Sequence, residues 1–343
     1  MRKLLNTLFV LSEDSYLALE GENVLVLRGE ETAARFPLHT LESILSFSYK
    51  GASPALMGAC ASRGVSLAFL TPRGRFLARS CGAENGNVLL RRTQYRMADQ
   101  PDASCRLART FICGKLYNCR WILERATRDH ALRLDVPQLK AVSAQLQELL
   151  EQTAQCTGLE ELRGLEGKGA AAYFGVFDQL ILQQKEDFFF QGRSRRPPLD
   201  PMNALLSFLY TLLAHDCAAA LEAVGLDSYV GFLHRDRPGR SSLALDMMEE
   251  LRPVMADRFA LTLINRQMLE KKQFRFEPGG AVFLSEDGRK AVLSAWQERK
   301  KETITHPYLK EKLSWGLVPY AQALLLARYL RGDLDGYPPF FWK

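Results

Sequence analysis

Apolar and polar residues alternate with a period of two through the N-terminal quarter of the chain and with a helical period over most of the rest. In SYLALE (15–20) and NVLVLRG (23–29) the alternation is interrupted only by a glycine-bearing turn, which predicts a β-hairpin. VSLAFL (65–70) and RFLARS (75–80) repeat the pattern around TPRG. Between the two pairs, PALMGACASRG (54–64) has helical spacing and predicts a short amphipathic helix. The opening MRKLLNTLFVLSEDSY has the basic start and apolar run of a signal peptide. It lacks a small-residue cleavage site and soon reaches Glu13 and Asp14, so a first strand is expected.

Beyond Asn87 the pattern changes. LLRRTQYRMADQP loses strand alternation, and segments of 3.6-residue period follow at 102–129, 136–155, 158–182, 201–223, 245–271 and 316–331. Pro101 and Asp102 mark a helix start. RSRRPPLDP (193–201) reads as a loop ending in an N-cap at Asp200, with Pro201 at the first helical position. The prediction is an α+β chain: a β-rich, sandwich-like domain over 1–90, then a larger all-α domain over 91–343. Nowhere do about 18 uncharged apolar residues run together, so no membrane span is expected.

Composition narrows the class. At 343 residues, 47% hydrophobic and 24% charged, the chain is a globular one with room for two cores, not a disordered one. Its net charge of +6 is concentrated in QGRSRRPP (191–198), HRDRPGR (234–240), KKQFR (271–275) and QERKK (297–301). Such clusters suit phosphates, although a solvated charged face is the commoner use of any single one. Seven cysteines, an odd number without a C-x-x-C pair, point to reduced thiols and a cytoplasmic protein. No P-loop, G-x-G-x-x-G, G-x-S-x-G or H-E-x-x-H pattern is present, which leaves nucleotide-triphosphate and nicotinamide chemistry unsupported.

Two segments could carry chemistry. In LRGLEGKGAAAYFGVFDQL (162–180), Gly164, Gly167, Gly169 and Gly175 each cost a helix about 1 kcal/mol relative to alanine. They serve either close helix packing or a cleft that keeps Glu166 open to a bulky polyanion. In GFLHRDRPGRSSLALDMMEELRP (231–253), His234 ends an apolar run and precedes a helix whose Asp246 and Glu249 share a face, with Glu250 rotated by about 100°. Leu245, Met248, Leu251 and Met255 supply that helix's buried stripe, so the two acids lie at its border and want a cation. A lone histidine is more often structural, and acids early in a helix usually complement its dipole. Together, one imidazole and two or three carboxylates suit Mg²⁺ or Mn²⁺ in an open site for phosphoryl chemistry. Arg235, Arg237 and Arg240, with Arg193, Arg195 and Arg196 of the Pro-rich loop, then serve as DNA phosphate contacts or as a solvated turn. His215 reads as a buried structural histidine, and His306 as a residue near a helix cap that could at most help bind DNA.

LEGKGAAAYF (165–174), RRPPLDPMNALLSFLYTLL (195–213) and GLDSYVGFLHRDRPGRSSLALDMMEELRP (225–253), in this order, resemble the CRISPR-associated adaptation integrase, the larger subunit of the spacer-acquisition machinery, and its type I-C branch most. The resemblance covers the whole chain. It implies an N-terminal β-sandwich for dimerisation and DNA contact and a catalytic α-helical domain. It also implies a homodimer and a small ferredoxin-like partner in a larger complex on double-stranded DNA, namely the fragment to be inserted and the CRISPR repeat. In this family a glutamate, a histidine and a third carboxylate bind the divalent ion, and by matching segments these fall on Glu166, His234 and Glu249, with Asp246 as a possible additional acid. The implied reaction is metal-dependent integration, attack of a DNA 3′-hydroxyl on a phosphodiester at the repeat. A metal-dependent nuclease acting on branched or single-stranded nucleic acid is the alternative.

Overall fold

After β1 (Asn6–Val10), the strands β2 (Ser15–Glu20), β3 (Asn23–Arg28) and β4 (Glu31–Pro37) pair antiparallel in one three-stranded sheet. Both connecting turns are two residues long and begin with a glycine at positive φ, 57° at Gly21 and 60° at Gly29. That backbone geometry matches the twist of the flanking strands and is strained for residues bearing a Cβ. The pleat then buries Leu17, Val24 and Val26. The structure, a computed structural model, describes residues 5–72, 74, 76–80 and 88–343.

A second sheet has the order β1-β5-β6-β7, with β5 (Leu41–Ser46), β6 (Ser66–Leu70) and β7 (Phe76–Ser80). Here β1–β5 and β5–β6 are parallel, and only β6–β7 forms the expected hairpin. Parallel neighbours need a crossover, which α1 (Pro54–Arg63) supplies between β5 and β6. Ser53 caps α1 by accepting a bond from the Leu56 N–H at 3.2 Å. Val10, Ile44 and Leu67 from one sheet, Leu17, Val24 and Val26 from the other, and Leu56 and Cys60 from α1 form a single core.

Helices follow: α2 (Val88–Ala98), α3 (Pro101–Asp129), α4 (Val136–Gln155), α5 (Leu159–Gly175), α6 (Pro201–Ala223) and α7 (Ser242–Leu251). A π-helical stretch, Arg252–Asp257, leads into α8 (Arg258–Asn265). Next come β8 (Phe274–Phe276), β9 (Val282–Leu284), α9 (Glu286–Lys301), β10 (Thr303–Thr305), β11 (Lys312–Ser314) and α10 (Val318–Leu330). The C-terminal region is therefore predominantly helical but not all-α, since β8–β9 and β10–β11 are two-stranded ribbons. The first of these turns on EPGG, where the Glu277 N–H bonds the Ala281 carbonyl at 2.8 Å.

The chain divides into two units, Met1–Asn85 with Leu284–Thr303 and Ser314–Leu317, and Gly86–Phe283 with Ile304–Leu313 and Val318–Lys343. Helix α9 thus belongs with the strands and not, as a single boundary at 90/91 would have it, with the helices. It buries Val292, Leu293 and Trp296, and Lys300 reaches Glu42 of β5 at 3.4 Å.

In the second unit α3 is the spine, packed against α4, α5 and α7. The helix expected over 245–271 ends at Asn265 and changes winding at Pro253, which has no N–H for the α-helical ladder. Helix α6, with mean hydropathy 1.5, is long and apolar enough to cross a membrane, but 61% of its apolar window is buried inside the protein. It packs against α7, α8 and α10 as a core helix. Six free cysteines are described, five of them buried, while Cys81 lies outside the described residues.

Candidate active site

On α3, Lys115 and Asn118 fall in phase with Phe111, Ile112 and Leu116, so the helix turns two polar side chains into its buried face. Both reach α7. A Cβ at Gly114 would stand 2.7 Å from the Glu250 Cβ, so glycine is what lets α3 come this near. Lys115 Nζ donates to Glu249 Oε2 at 2.7 Å and also to Glu166 Oε1 on α5. Arg252 Nη2 lies 2.8 Å from the other Glu249 oxygen, Oε1. Two acids from helices distant in sequence therefore share one ammonium group, and Glu249 is bracketed by two cations.

Exposure separates the two acids: the Glu249 side chain is 4% exposed, that of Glu166 28%. Burial pushes the Glu249 carboxyl up, but the charges of Arg252, Lys115 and His234 outweigh it and hold the group well below the usual carboxylate range. Burial would lower the Lys115 ammonium; Glu249 and Glu166 raise it above its ordinary value instead.

His234 is carried by an irregular segment, not by a strand. Asp246, fully buried on α7, holds it. The carboxylate accepts the backbone N–H groups of Phe232 (2.6 Å), Leu233 (2.9 Å) and His234 (3.0 Å), and its Oδ1 lies 2.5 Å from His234 Nδ1. Successive N–H groups converging on one anion form a nest. Gly231 is needed beside it, because a Cβ there would be 2.8 Å from both Asp246 Oδ2 and Ser242 Cβ. From α5, Arg163 donates to the Leu233 carbonyl through Nε (3.1 Å) and Nη2 (2.6 Å). Asp246, singled out as a possible additional acid, is thus saturated by protein donors. It aims His234 and leaves Nε2 as the ring atom without a bond among the described residues.

Glu250, one residue past Glu249, faces the other way. It accepts from the Phe340 N–H and Gln322 Nε2, both at 2.8 Å, and from the Tyr337 hydroxyl. Burial pushes its carboxyl up to about 7 despite these donors. Asn118 ties the same C-terminal segment down, donating to the Glu250 and Phe340 carbonyls at 2.7 Å and accepting the Trp342 N–H at 2.9 Å. Helix α7 is consequently buried all round, and the apolar stripe expected from Leu245, Met248, Leu251 and Met255 holds except at Leu245, which is only half-buried.

The glycines of α5 divide between the two roles considered for them. Gly169 packs against Leu116, whose Cδ2 would lie 2.2 Å from an added Cβ, whereas Gly164 and Gly167, flanking Glu166, have open space beside them. The arginines divide as well. Arg193 does not present a free cation: Nη1 donates to Asn203 Oδ1 and the Ser194 carbonyl, both at 2.6 Å, and Nη2 to Ser207 Oγ at 3.1 Å, fastening the Pro-rich loop to α6. Arg240 likewise bonds the Arg235 carbonyl and closes its own turn. Arg195, Arg196, Arg235 and Arg237 are exposed, with Arg235 paired to Glu160. His306 is 0% exposed, accepts the Tyr308 and Leu309 N–H groups through Nδ1 and faces Gln322 Oε1 at 3.0 Å; it cannot touch DNA. His215 is half-buried.

Lys115, Arg252 and Arg163 were not found from the sequence. Arg252 had a signal, the i, i+3 spacing from Glu249, and Lys115 had another, a lysine on the apolar side of an amphipathic helix. Among the described residues no group of three His, Cys, Asp or Glu is drawn together as a metal site; the cation between Glu166 and Glu249 is the lysine. The donor chemistry nevertheless fits a divalent ion. Two carboxylates already gather a positive charge, and an imidazole whose Nδ1 is held by a buried carboxylate keeps its other nitrogen as a possible donor atom for the ion.

The family model described as CRISPR associated protein Cas1 matches residues 8–298. Over the full length of both chains, this one is 52% identical to "CRISPR-associated endonuclease Cas1 2" of Rhodospirillum rubrum. Among solved structures, a casposase bound to integration product superposes with a TM-score of 0.84 at 21% identity, covering 99% of this chain and 95% of the other. A Cas6-RT-Cas1–Cas2 complex contains a chain that matches with a TM-score of 0.81 at 21% identity, covering 100% of this chain and 36% of that one. At such identities the structural likeness speaks to the fold.

Proposed function

The chain belongs to the Cas1 family of CRISPR-associated proteins, and on that premise we propose that it is a divalent-metal-dependent DNA integrase and endonuclease of CRISPR adaptation, in the manner of the type I-C branch. The observation that carries the reading is the shared cation: Glu166 and Glu249, from separate helices, converge on one positive charge beside a histidine locked by Asp246. Glu166, His234 and Glu249 would hold Mg²⁺ or Mn²⁺. Such an ion polarises a phosphodiester oxygen and favours deprotonation of the attacking hydroxyl.

The chain's own residues do the rest. Asp246 fixes the His234 ring through Nδ1, so that Nε2 is the atom presented. Arg252 neutralises Glu249 from the side away from Lys115, which keeps a buried carboxylate ionised. Arg195, Arg196, Arg235 and Arg237, being exposed, hold the DNA backbone on either side of the reacting phosphate. In the reaction a DNA 3′-hydroxyl attacks a phosphodiester of the repeat, forming one P–O bond as another breaks and freeing a new 3′-hydroxyl. The exchange is near-balanced, so catalysis is mostly positioning.

The same reading includes a cytoplasmic homodimer formed and placed on DNA by the strand-rich domain, and a small ferredoxin-like partner. A fold neighbour that occurs in a Cas1–Cas2 complex is consistent with such a partner. The test is strand transfer: a labelled short duplex, a supercoiled plasmid bearing a repeat, the protein with and without the partner, and Mn²⁺ or EDTA. Label joined to plasmid only with metal, and lost in Glu166→Ala, is the expected result. Metal-dependent nicking without joining, even with the partner present, replaces this reading with that of a nuclease.

A further inference from the structure

The positive charge that joins Glu166 to Glu249 comes from neither acid's own helix but from the middle of α3. The Lys115 side chain is 5% exposed, and its ammonium is paired with these two carboxylates. A buried ammonium between two buried or half-buried acids is a deliberate arrangement, because each partner alone would be strongly destabilised. The other oxygen of Glu249 is taken by Arg252, so Oε2, the oxygen Lys115 bonds, is the one that must be released for any further ligand.

We propose that Lys115 is a positioning residue, an internal counter-cation that holds Glu166 and Glu249 together until a divalent ion takes over the same carboxylate oxygens. The inference rests on the reading of Glu166, His234 and Glu249 as ligands. Without a cation between them the two acids would repel and separate. With Lys115 in place they are assembled in advance, and the flexible four-carbon stem lets the ammonium withdraw when the ion arrives. Metal binding is therefore an exchange of cations, and its measured affinity is reduced by the lysine bonds that must be broken.

The test is the affinity of the full-length protein for Mn²⁺ alone, by calorimetry, together with the unfolding temperature without metal. In Lys115→Met the metal-free protein unfolds at a lower temperature, yet Mn²⁺ binds at least about tenfold more tightly than to the wild type, and restores stability by more. Removal of a merely structural lysine would weaken Mn²⁺ binding or leave it unchanged. Lys115→Arg keeps the charge, and so the fold, while its planar fork engages both acids; it binds Mn²⁺ more weakly than the wild type. Unchanged or weaker affinity in Lys115→Met, or unchanged affinity in Lys115→Arg, overturns the counter-cation role while Mn²⁺ still binds the wild type and is lost in Glu166→Gln. If Mn²⁺ binds none of these proteins, wild type included, the assignment of the ligands falls and this inference falls with it.

Discussion

Glu249 and Glu250 are adjacent on α7 and both buried, yet they stand in opposite electrostatic surroundings. Glu249 lies between Lys115 and Arg252, which keep it ionised. Among the described residues Glu250 is bonded by neutral donors, Tyr337, Gln322 and the Phe340 N–H, and burial pushes it up to about 7. Burial alone therefore does not decide what a carboxylate does in this protein. The charge of its partners decides, and a rotation of about 100° between neighbouring helical positions is enough to exchange one set for the other. One face of α7 suits cations and phosphates, and the other fastens the C-terminal segment.

The comparison can be broken most severely on the charged face. Glu166→Ala and His234→Ala are each expected to take DNA joining below detection in a protein that still folds, with His234→Ala shifting denaturant unfolding by no more than about 1 kcal/mol because its side chain is partly exposed, and Glu166→Ala shifting it by more because the buried Lys115 then keeps only Glu249. Equal loss of solubility in both would make them structural residues instead. Next in size, Arg252→Met leaves a buried Glu249 without one of its two cations and should cost about 3–5 kcal/mol in the same unfolding experiment. A cost near zero would mean that Lys115 suffices.

The uncharged face should respond less. Asn118→Ala removes a side chain whose amide bonds the Glu250 and Phe340 carbonyls and the Trp342 N–H, and a loss of about 1–3 kcal/mol is expected, with faster hydrogen exchange over 337–342. The last expectation concerns pH. Because the folded-state value of Glu250 is raised from its ordinary 4.5 to about 7, the folded chain holds a proton there that the unfolded chain has already released between those values. Its contribution to stability grows as pH falls from about 7 towards 4.5, is constant below that window and is lost above it. The stability difference between wild type and Glu250→Gln, measured at pH 5 and pH 8, should shift in favour of the wild type at the lower pH. A difference that does not change with pH would show that Glu250 is ionised in both states.

Much of the candidate site's composition is legible in the chain. The helical spacing of Asp246 and Glu249, the glycines around Glu166 and the placement of His234 after an apolar run are local patterns, and local patterns survive without a structure. What was misjudged was the use made of particular residues. Arg193 and Arg240 carry the charge of a DNA contact but are engaged in loop bonds. His306, read as a residue near a helix cap that could at most help bind DNA, is buried against Gln322. Asp246, the possible additional acid, is the anion of a backbone nest.

The β2–β3 hairpin with its glycine turn, the strands β1, β6 and β7 and the largely helical remainder followed from the sequence by itself, since periodicity and turn chemistry act within a few residues, whereas β4 and β5 did not. The choice of acidic and imidazole side chains followed from it too. Only the tertiary structure decided which acid meets which cation. Lys115 lies 51 residues from Glu166 and 134 from Glu249, and Asn118 lies 222 from Phe340. It also decided that α9 packs with the strands. A charge reads its surroundings through space, and at such separations the distance along the chain carries no information about the distance across the core.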